Sequence, residues 1–310
     1  MKTLRNLIKL AAALLIFALT AGMMGQLHPA LDSFSHFRLH LATILALVVV
    51  VAVLVHQRKL AIFSSLVIAA SLFQTVPHLP FFLKRADVDA ADQIKIMQLN
   101  LLFKNTSYEH VARISLNSGA DFITFQEVTS TTGRVLDLIR HQYPFQLSCA
   151  FGAVGSVAIA SRHEFANSES KLCLRANGFA KASFSLNGQN ITVASIHLHW
   201  PWPSIQSEQI GRISNSLNAL SGPVLIAGDF NAAPWSAAVK RVAAESNTRV
   251  VNGVLQTWGP VEISKRLIPW IGLALDNTLH SLDLKPVDRR LLEDAKSDHF
   301  PVLTTFQRRS

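Results

Sequence analysis

Between Leu7 and Leu83 the chain carries three long apolar runs, a pattern with few stable destinations in water. Leu7 to Gly25 holds one charge, Lys9; Leu39 to Val55 is broken only by His40; Leu60 to Leu83 has no ionisable residue except His78. A bilayer core takes about 20 apolar residues as helix, with a range of about 17–25. The pattern therefore predicts a membrane anchor over residues 1–85 with three transmembrane helices, about 7–25, 39–55 and 60–83. An Asp-containing linker, 86–92, follows, and then one domain over 93–310. The 16% charged residues and mean hydropathy of +0.28 agree, since a soluble domain averages roughly 25% charged, and they exclude a disordered chain.

Orientation follows from the basic residues. Lys2, Arg5 and Lys9 precede the first run, and His56, Arg58 and Lys59 separate the second from the third. The positive-inside rule puts both segments in the cytoplasm, and three crossings deliver the larger domain to the opposite, extracytoplasmic side. Reading the first run as a cleaved signal peptide, with a poor small-residue site at Ala18 to Ala21, leaves the same outcome. Residues 1–91 hold 8 Lys and Arg against 3 Asp and Glu, net +5 of the total +9. More than half the basic excess is thus topological, and what remains is weak support for nucleic-acid binding.

The larger domain alternates strands and helices. Gln93–Asn100, Asp121–Phe125, Ser156–Ala160, Lys181–Leu186, Ile191–His197, Pro223–Ala227 and Pro301–Thr304 read as strands. Ser107–Ser118 and the segment carrying Ile210, Ile213, Leu217 and Leu220 read as helices, and Asn187-Gly188 as a hairpin turn. Interleaved strands, helices and hairpins predict an α/β fold with a mixed sheet or two packed sheets and helices outside. Polar, metal-competent residues sit where these strands run out: Asn100, Gln126-Glu127, His197 and His199, Gly228-Asp229-Phe230-Asn231, and Ser297-Asp298-His299. Turn or cap chemistry accounts for any one of them, but five coincidences of carboxylate, amide and imidazole point to a shared site. Carboxylates and amides without cysteine suit Mg²⁺ or Mn²⁺, and histidines beside them supply proton transfer. Together these are the equipment for metal-assisted phosphoester hydrolysis.

The ordered series Asn100, Gln126-Glu127, His197, Gly228-Asp229-Phe230-Asn231 and Ser297-Asp298-His299 resembles the endonuclease/exonuclease/phosphatase (DNase I-like) superfamily over about Ile94 to Phe306. The three-span prefix resembles its membrane-anchored bacterial branch, at the inner membrane. The resemblance implies a four-layer α/β/β/α sandwich and Mg²⁺-dependent phosphoesterase activity. It further implies metal ligation by Glu127, Asn100 and Asp298, and water activation by Asp229. Asn231 would contact phosphate, His299 would be oriented by Asp276, and His197 would be a second imidazole with His199 as its rival. Where the family often has Ile-Asp-His, this chain has Leu275-Asp276-Asn277, which on a strand turns Asn277 away from the site.

Two apolar features bear on substrate. Trp200-Pro201-Trp202-Pro203 is a rigid aromatic loop suited to stacking a base or burying at an interface. Leu267–Leu275, with Trp270, either packs on the domain's own core or dips to a membrane. Cys149 and Cys173 lie in the domain assigned outside the cytoplasm, where a disulfide persists if their Cα atoms come within roughly 4.4–6.8 Å. Three functions stand at this point: a membrane-anchored nuclease or phosphodiesterase, a lipid or sugar-phosphate phosphatase at the membrane surface, and a non-catalytic scaffold. The complete set of acids and imidazoles argues against the scaffold. The partners implied are a phosphoester, nucleic acid or phospholipid, and the bilayer.

Overall fold

The computed structural model of the chain describes residues 2–78, 93–186 and 188–309. The end of the third apolar run, the 86–92 linker and Asn187 of the expected hairpin turn lie outside the described residues.

The N-terminal segment forms α1 (Lys2–Met23), a short α2 (Pro29–Asp32), α3 (Arg38–Leu54) and α4 (Arg58–Phe73). Small side chains, among them Ala12, Ala42, Ala52, Ala61 and Ser64, fill much of the space between the long helices, while Leu14, Phe17, Leu47, Val50, Ile62 and Leu66 project outward. By length and composition, two stretches reach membrane-spanning size, Lys2–Met23 and Pro29–Leu54. The third expected span, 60–83, is met in part: among the described residues α4 has 16 residues, about 24 Å at 1.5 Å per residue, and residues 79–83 lie outside the described ones. A one-turn helix at Val76–His78 follows it.

The rest is built on two mixed six-stranded sheets. One has the order β11 (Leu284–Leu291), β12 (Val302–Arg308), β1 (Gln93–Asn100), β2 (Phe122–Val128), β4 (Gly155–Ser161), β3 (Phe145–Gly152). The other runs β5 (Lys171–Leu174), β6 (Phe179–Leu186), β7 (Gln189–His197), β8 (Val224–Asp229), β10 (Asp276–His280), β9 (Arg249–Val250). Helices α5 (Tyr108–Asn117) and α6 (Arg134–Ile139) cover the outer face of the first sheet, sharing a core with Met97, Leu99, Ile123 and Phe125. Helices α7 (Gln206–Asn218) and α8 (Ala237–Glu245) cover the second, packing on Ala194, Ile196, Val224 and Ile226. Ile94, Ile96, Phe122, Ile191, Val193, Leu225 and Ala227 meet between the sheets. The result is the layered sandwich the resemblance implied.

The period of two along a strand explains how this core becomes a site. The inward face of β1 runs Ile94, Ile96, Gln98, Asn100; that of β7 runs Ile191, Val193, Ser195, His197; that of β8 runs Leu225, Ala227, Asp229. Each turns from apolar to polar at the same rim. Asn277 does face the other way, donating to the Ala232 and Leu275 carbonyls.

Cys149 of β3 and Cys173 of β5 are joined in a disulfide with Cα atoms 5.4 Å apart. It links an edge strand of each sheet across the open side of the sandwich. With the cysteines 24 positions apart, loop-closure entropy predicts about 3 kcal/mol of stabilisation. The Cys149→Ser/Cys173→Ser protein should lose that amount in denaturant unfolding, and both native thiols should resist alkylation until reductant is added.

The helical segment is docked onto this domain through the ends of α1, α3 and α4 distant from the Arg5–Gln57 contact. Asp32 accepts from the first two free N–H groups of α8, Ala237 at 2.8 Å and Ala238 at 3.0 Å, a favourable place for a carboxylate. Trp235 donates to the Ser35 carbonyl, Ala233 N–H to His36, and Gly253 and Val254 to the His78 carbonyl. His40 meets the Ile271 carbonyl at 2.8 Å.

Candidate active site

Five strands deliver the expected residues to one rim. A cavity of about 270 Å³ there is lined by Glu127, His197, Asp229, Asn231, Asp298 and His299, with Trp200, Trp258, His199 and Phe151 around them.

Asp229 is central and buried. Its Oδ1 accepts from the Asn231 N–H at 2.8 Å and its Oδ2 from Asn100 Nδ2 at 3.0 Å. The same Oδ2 lies 3.5 Å from His197 Nε2 and 3.6 Å from His299 Nε2, so one carboxylate oxygen is flanked by both imidazoles. Burial pushes Asp229 up to about 7, only partly opposed by the His299 cation and the two amide donors. It is therefore poised near neutrality, where a proton acceptor is most useful.

His299 is held through Nδ1 by Asp276 Oδ2 at 2.8 Å, and Asp276 Oδ1 is taken by Gln98 Nε2 at 2.6 Å. Burial alone would lower His299, but Asp276 and Asp229 together outweigh it and raise the ring to about 10, leaving an imidazolium at neutral pH. His197 is the opposite case: burial, and then the neighbouring His299 charge, lower it to about 3, so it is neutral. A histidine raised above its unfolded value of about 6.5 contributes its full stability below that pH and loses it as pH rises through the folded value. The unfolding midpoint should fall more steeply from about pH 7 to pH 10 in the native protein than in His299→Gln. Equal slopes would mean that the ring is not charged in the fold.

Glu127 reaches the cavity through an irregularity. It sits where the β2–β4 register shifts, at φ 59°, a left-handed conformation that side chains other than glycine and asparagine rarely adopt. Its oxygens accept from Asn100 Nδ2 at 3.1 Å and Phe103 N–H at 2.6 Å. Asn231, at φ 46°, turns the chain after β8 in the same way and anchors its amide on the Leu198 carbonyl. Gly228 before it admits no side chain, because a Cβ would run into the Ile196 carbonyl. The glycine of Gly-Asp-Phe-Asn is thus a steric necessity of the close β7–β8 approach.

Among the described residues, Asp229, Asp276 and His299 bring one ligand-capable atom each within 4.8 Å of one another. Both oxygens of Asp276 are already committed, so it positions His299. Asn100 instead bridges the Glu127 and Asp229 carboxylates. Three carboxylates line the cavity and no lysine or arginine does, a donor set that fits a hard divalent cation.

Of the expected substrate contacts, His199 and Trp200 line the cavity; Trp202 stands outside it, lining two neighbouring hollows, and Trp270 is 81% exposed and remote from it. The expectation that Leu267–Leu275 packs on the core holds for Ile268, Ala274 and Leu275 and fails for Leu267, Trp270 and Ile271. Sequence reading missed Gln98, which also donates to Gln126, and Trp258, whose Nε1 donates to Asp298 Oδ2 at 3.1 Å. It missed Arg289 too, buried and donating to the Asp276 carbonyl at 2.9 Å. A polar residue on an otherwise apolar strand face, as at Gln98, was the available signal.

The family model for the Endonuclease/Exonuclease/phosphatase family matches residues 97–299, well over half of the chain. No curated protein matches the sequence. Among solved structures the chain is similar to an endonuclease/exonuclease/phosphatase from Bacteroides vulgatus, with 15% identity over 70% of this chain and 99% of that one, TM-score 0.58. It is also similar to D. rerio TDP2 complexed with a single-strand DNA product, with 17% identity over 69% and 99%, TM-score 0.55. A third likeness is to a beta toxin mutant from Staphylococcus aureus with bound magnesium ions, 18% identity over 68% and 99%, TM-score 0.51. With its sandwich fold and its buried Asp229–Asp276–His299 cluster, the chain belongs to the Endonuclease/Exonuclease/phosphatase family and is a metal-dependent phosphoesterase.

Proposed function

We propose that the protein is a membrane-anchored hydrolase of phosphodiester bonds, with its catalytic domain on the extracytoplasmic side. The observation that carries the chemistry is the single Asp229 oxygen between two imidazoles, one charged and one neutral. Asp229 takes the proton of the attacking water. The His299 imidazolium, fixed by Asp276, donates to a phosphoryl oxygen as negative charge builds on it. Neutral His197 lies on the other side of Asp229, where it orients the water or the ester oxygen. The second N–H of the Asn231 amide is free for the phosphate. Glu127 and Asp298 would hold Mg²⁺ or Mn²⁺, with Asn100 beside them, and the metal would neutralise phosphoryl charge and assist departure of the leaving oxygen.

The anchor reading is supported by the outward-facing apolar side chains of α1, α3 and α4. Lys2, Arg5 and Lys9 lie at the helix ends tied together by the Gln57 to Arg5 contact, while the catalytic domain is held at the opposite ends. A signal sequence that is removed would take with it the Arg38 to Gly22 hydrogen bond and the apolar contact of Leu19 with Leu45. DNA, RNA, a phospholipid and bis-p-nitrophenyl phosphate, each with Mg²⁺, Mn²⁺ or EDTA, test the chemistry. Hydrolysis of at least one is expected with metal and none with EDTA; turnover that persists in EDTA would sink the reading.

A further inference from the structure

We propose that the substrate is an amphiphile of the surrounding bilayer, its phosphoester in the catalytic cavity and its hydrocarbon chain in an apolar trough running from that cavity to the membrane end of α3. The inference rests on the phosphoesterase reading and adds the substrate class.

Two further hollows adjoin the catalytic one. The first, about 290 Å³, shares Trp200 and Asn231 with it and is walled by Leu273, Leu275 and the Trp200–Pro203 loop on one side and by His36 and Phe37 on the other. The second, about 300 Å³, shares Trp258 with the catalytic cavity and Phe37 and Leu273 with the first hollow, and extends past Ile263 and Ile268 to His40. The lining changes along this path. Carboxylates surround the reacting centre, whereas among the described residues no lysine, arginine, aspartate or glutamate borders either hollow, whose ionisable lining is the imidazoles of His36 and His40. A polynucleotide would carry a phosphate every few ångströms into that trough and find no cation there. A hydrocarbon chain finds aromatic and aliphatic walls.

The trough also ends where such a chain would come from. Phe37, 48% exposed, immediately precedes α3, whose outward face is Leu47, Val50 and Val53. Beside it, α9 (Ile268–Ile271) is tied to that helix by the His40 to Ile271 hydrogen bond. On and beside this helix, Leu267, Trp270 and Ile271 stand exposed, the amphipathic aromatic composition typical of a bilayer interface. The anchor itself therefore builds one wall of the trough.

The test is a chain-length series of alkyl p-nitrophenyl phosphates, methyl to hexadecyl, assayed with Mg²⁺ on the full-length protein in phosphatidylcholine/phosphatidylglycerol vesicles. The hexadecyl-to-methyl ratio of kcat/KM should exceed about tenfold and fall at least fivefold in Phe37→Gln and in Ile263→Gln. Both side chains are partly exposed, so neither substitution removes a core residue. Partition into the vesicle raises the ratio equally in all three proteins, so a ratio unchanged in both variants overturns the trough. A ratio near one, with an oligonucleotide hydrolysed faster than any alkyl ester, overturns it in favour of nucleic acid. No hydrolysis of any member would overturn the phosphoesterase reading itself, and the trough with it.

Discussion

Asp229→Asn is expected to lower kcat on a phosphodiester by about a thousandfold while leaving KM nearly unchanged, the size of effect assigned to a general base. The substitution keeps the shape of the side chain and an oxygen to accept the Asn231 N–H, so the loop after β8 should hold its place. What it removes is proton affinity, because an amide cannot take the proton of an attacking water. Stability should move the other way. Burial lifts the Asp229 carboxyl to about 7, which means that the native fold pays to keep it ionised above that pH. A neutral amide escapes this cost but turns its Nδ2 toward the Asn100 amide, where it cannot accept as Oδ2 does, so the denaturant midpoint at about pH 8 should rise only slightly over the native protein. Kinetics and unfolding measured on the same preparation check both halves. A loss of less than tenfold in kcat would assign the base elsewhere, with His197 the nearest alternative at 3.5 Å.

How much of this was legible without coordinates depends on whether a feature is written in one segment or in the meeting of several. Strand β1 runs from Gln93 to Asn100 as its alternation predicts, and the Gly-Asp-Phe-Asn and Ser-Asp-His segments lie on the rim where their strand-end positions put them. These are local signals, strengthened by period two and by the steric demand at Gly228. The pairing of Asp276 with His299 is not local, since 23 positions separate them, and composition or spacing alone does not imply it; family resemblance supplied it. Gln98, Trp258 and Arg289 escaped notice because hydrogen-bond partners from other strands give them their roles. The short edge strand β5 lacks a complete alternation, yet its disulfide to β3 closes one side of the sandwich. The third apolar run was read as one continuous helix because hydropathy measures apolar length, whereas α4 ends at Phe73 and the chain turns at Val76–His78 to meet Gly253 and Val254. Least visible of all was the joint between the N-terminal helices and the catalytic domain. Asp32 looks like an isolated acid between two apolar runs, and only the fold brings it to the start of α8.

Glu127→Gly should abolish measurable turnover, by at least about a thousandfold at millimolar Mg²⁺, while costing less unfolding stability than Glu127→Ala. The first half follows from the loss of one of three carboxylates lining a cavity that has no cationic side chain, which removes a ligand to the metal the reaction needs. The second half sets relief of backbone strain against lost hydrogen bonds. A left-handed backbone costs a non-glycine residue roughly 1–2 kcal/mol, and glycine at φ 59° relieves it. Against this stand the two hydrogen bonds of the carboxylate, worth roughly 1.5–3 kcal/mol each when a charge is involved. Neither donor is stranded by the change: Phe103 is exposed enough for water to replace the acceptor, and Asn100 Nδ2 keeps its bond to Asp229. Glu127→Ala separates the contributions, since it loses the same hydrogen bonds and keeps the strain. It should be equally inactive and less stable than Glu127→Gly by about 1 kcal/mol. If alanine and glycine were equally stable, the left-handed backbone at this bulge would carry no cost, and the strain could not be counted among the terms that aim Glu127 into the site.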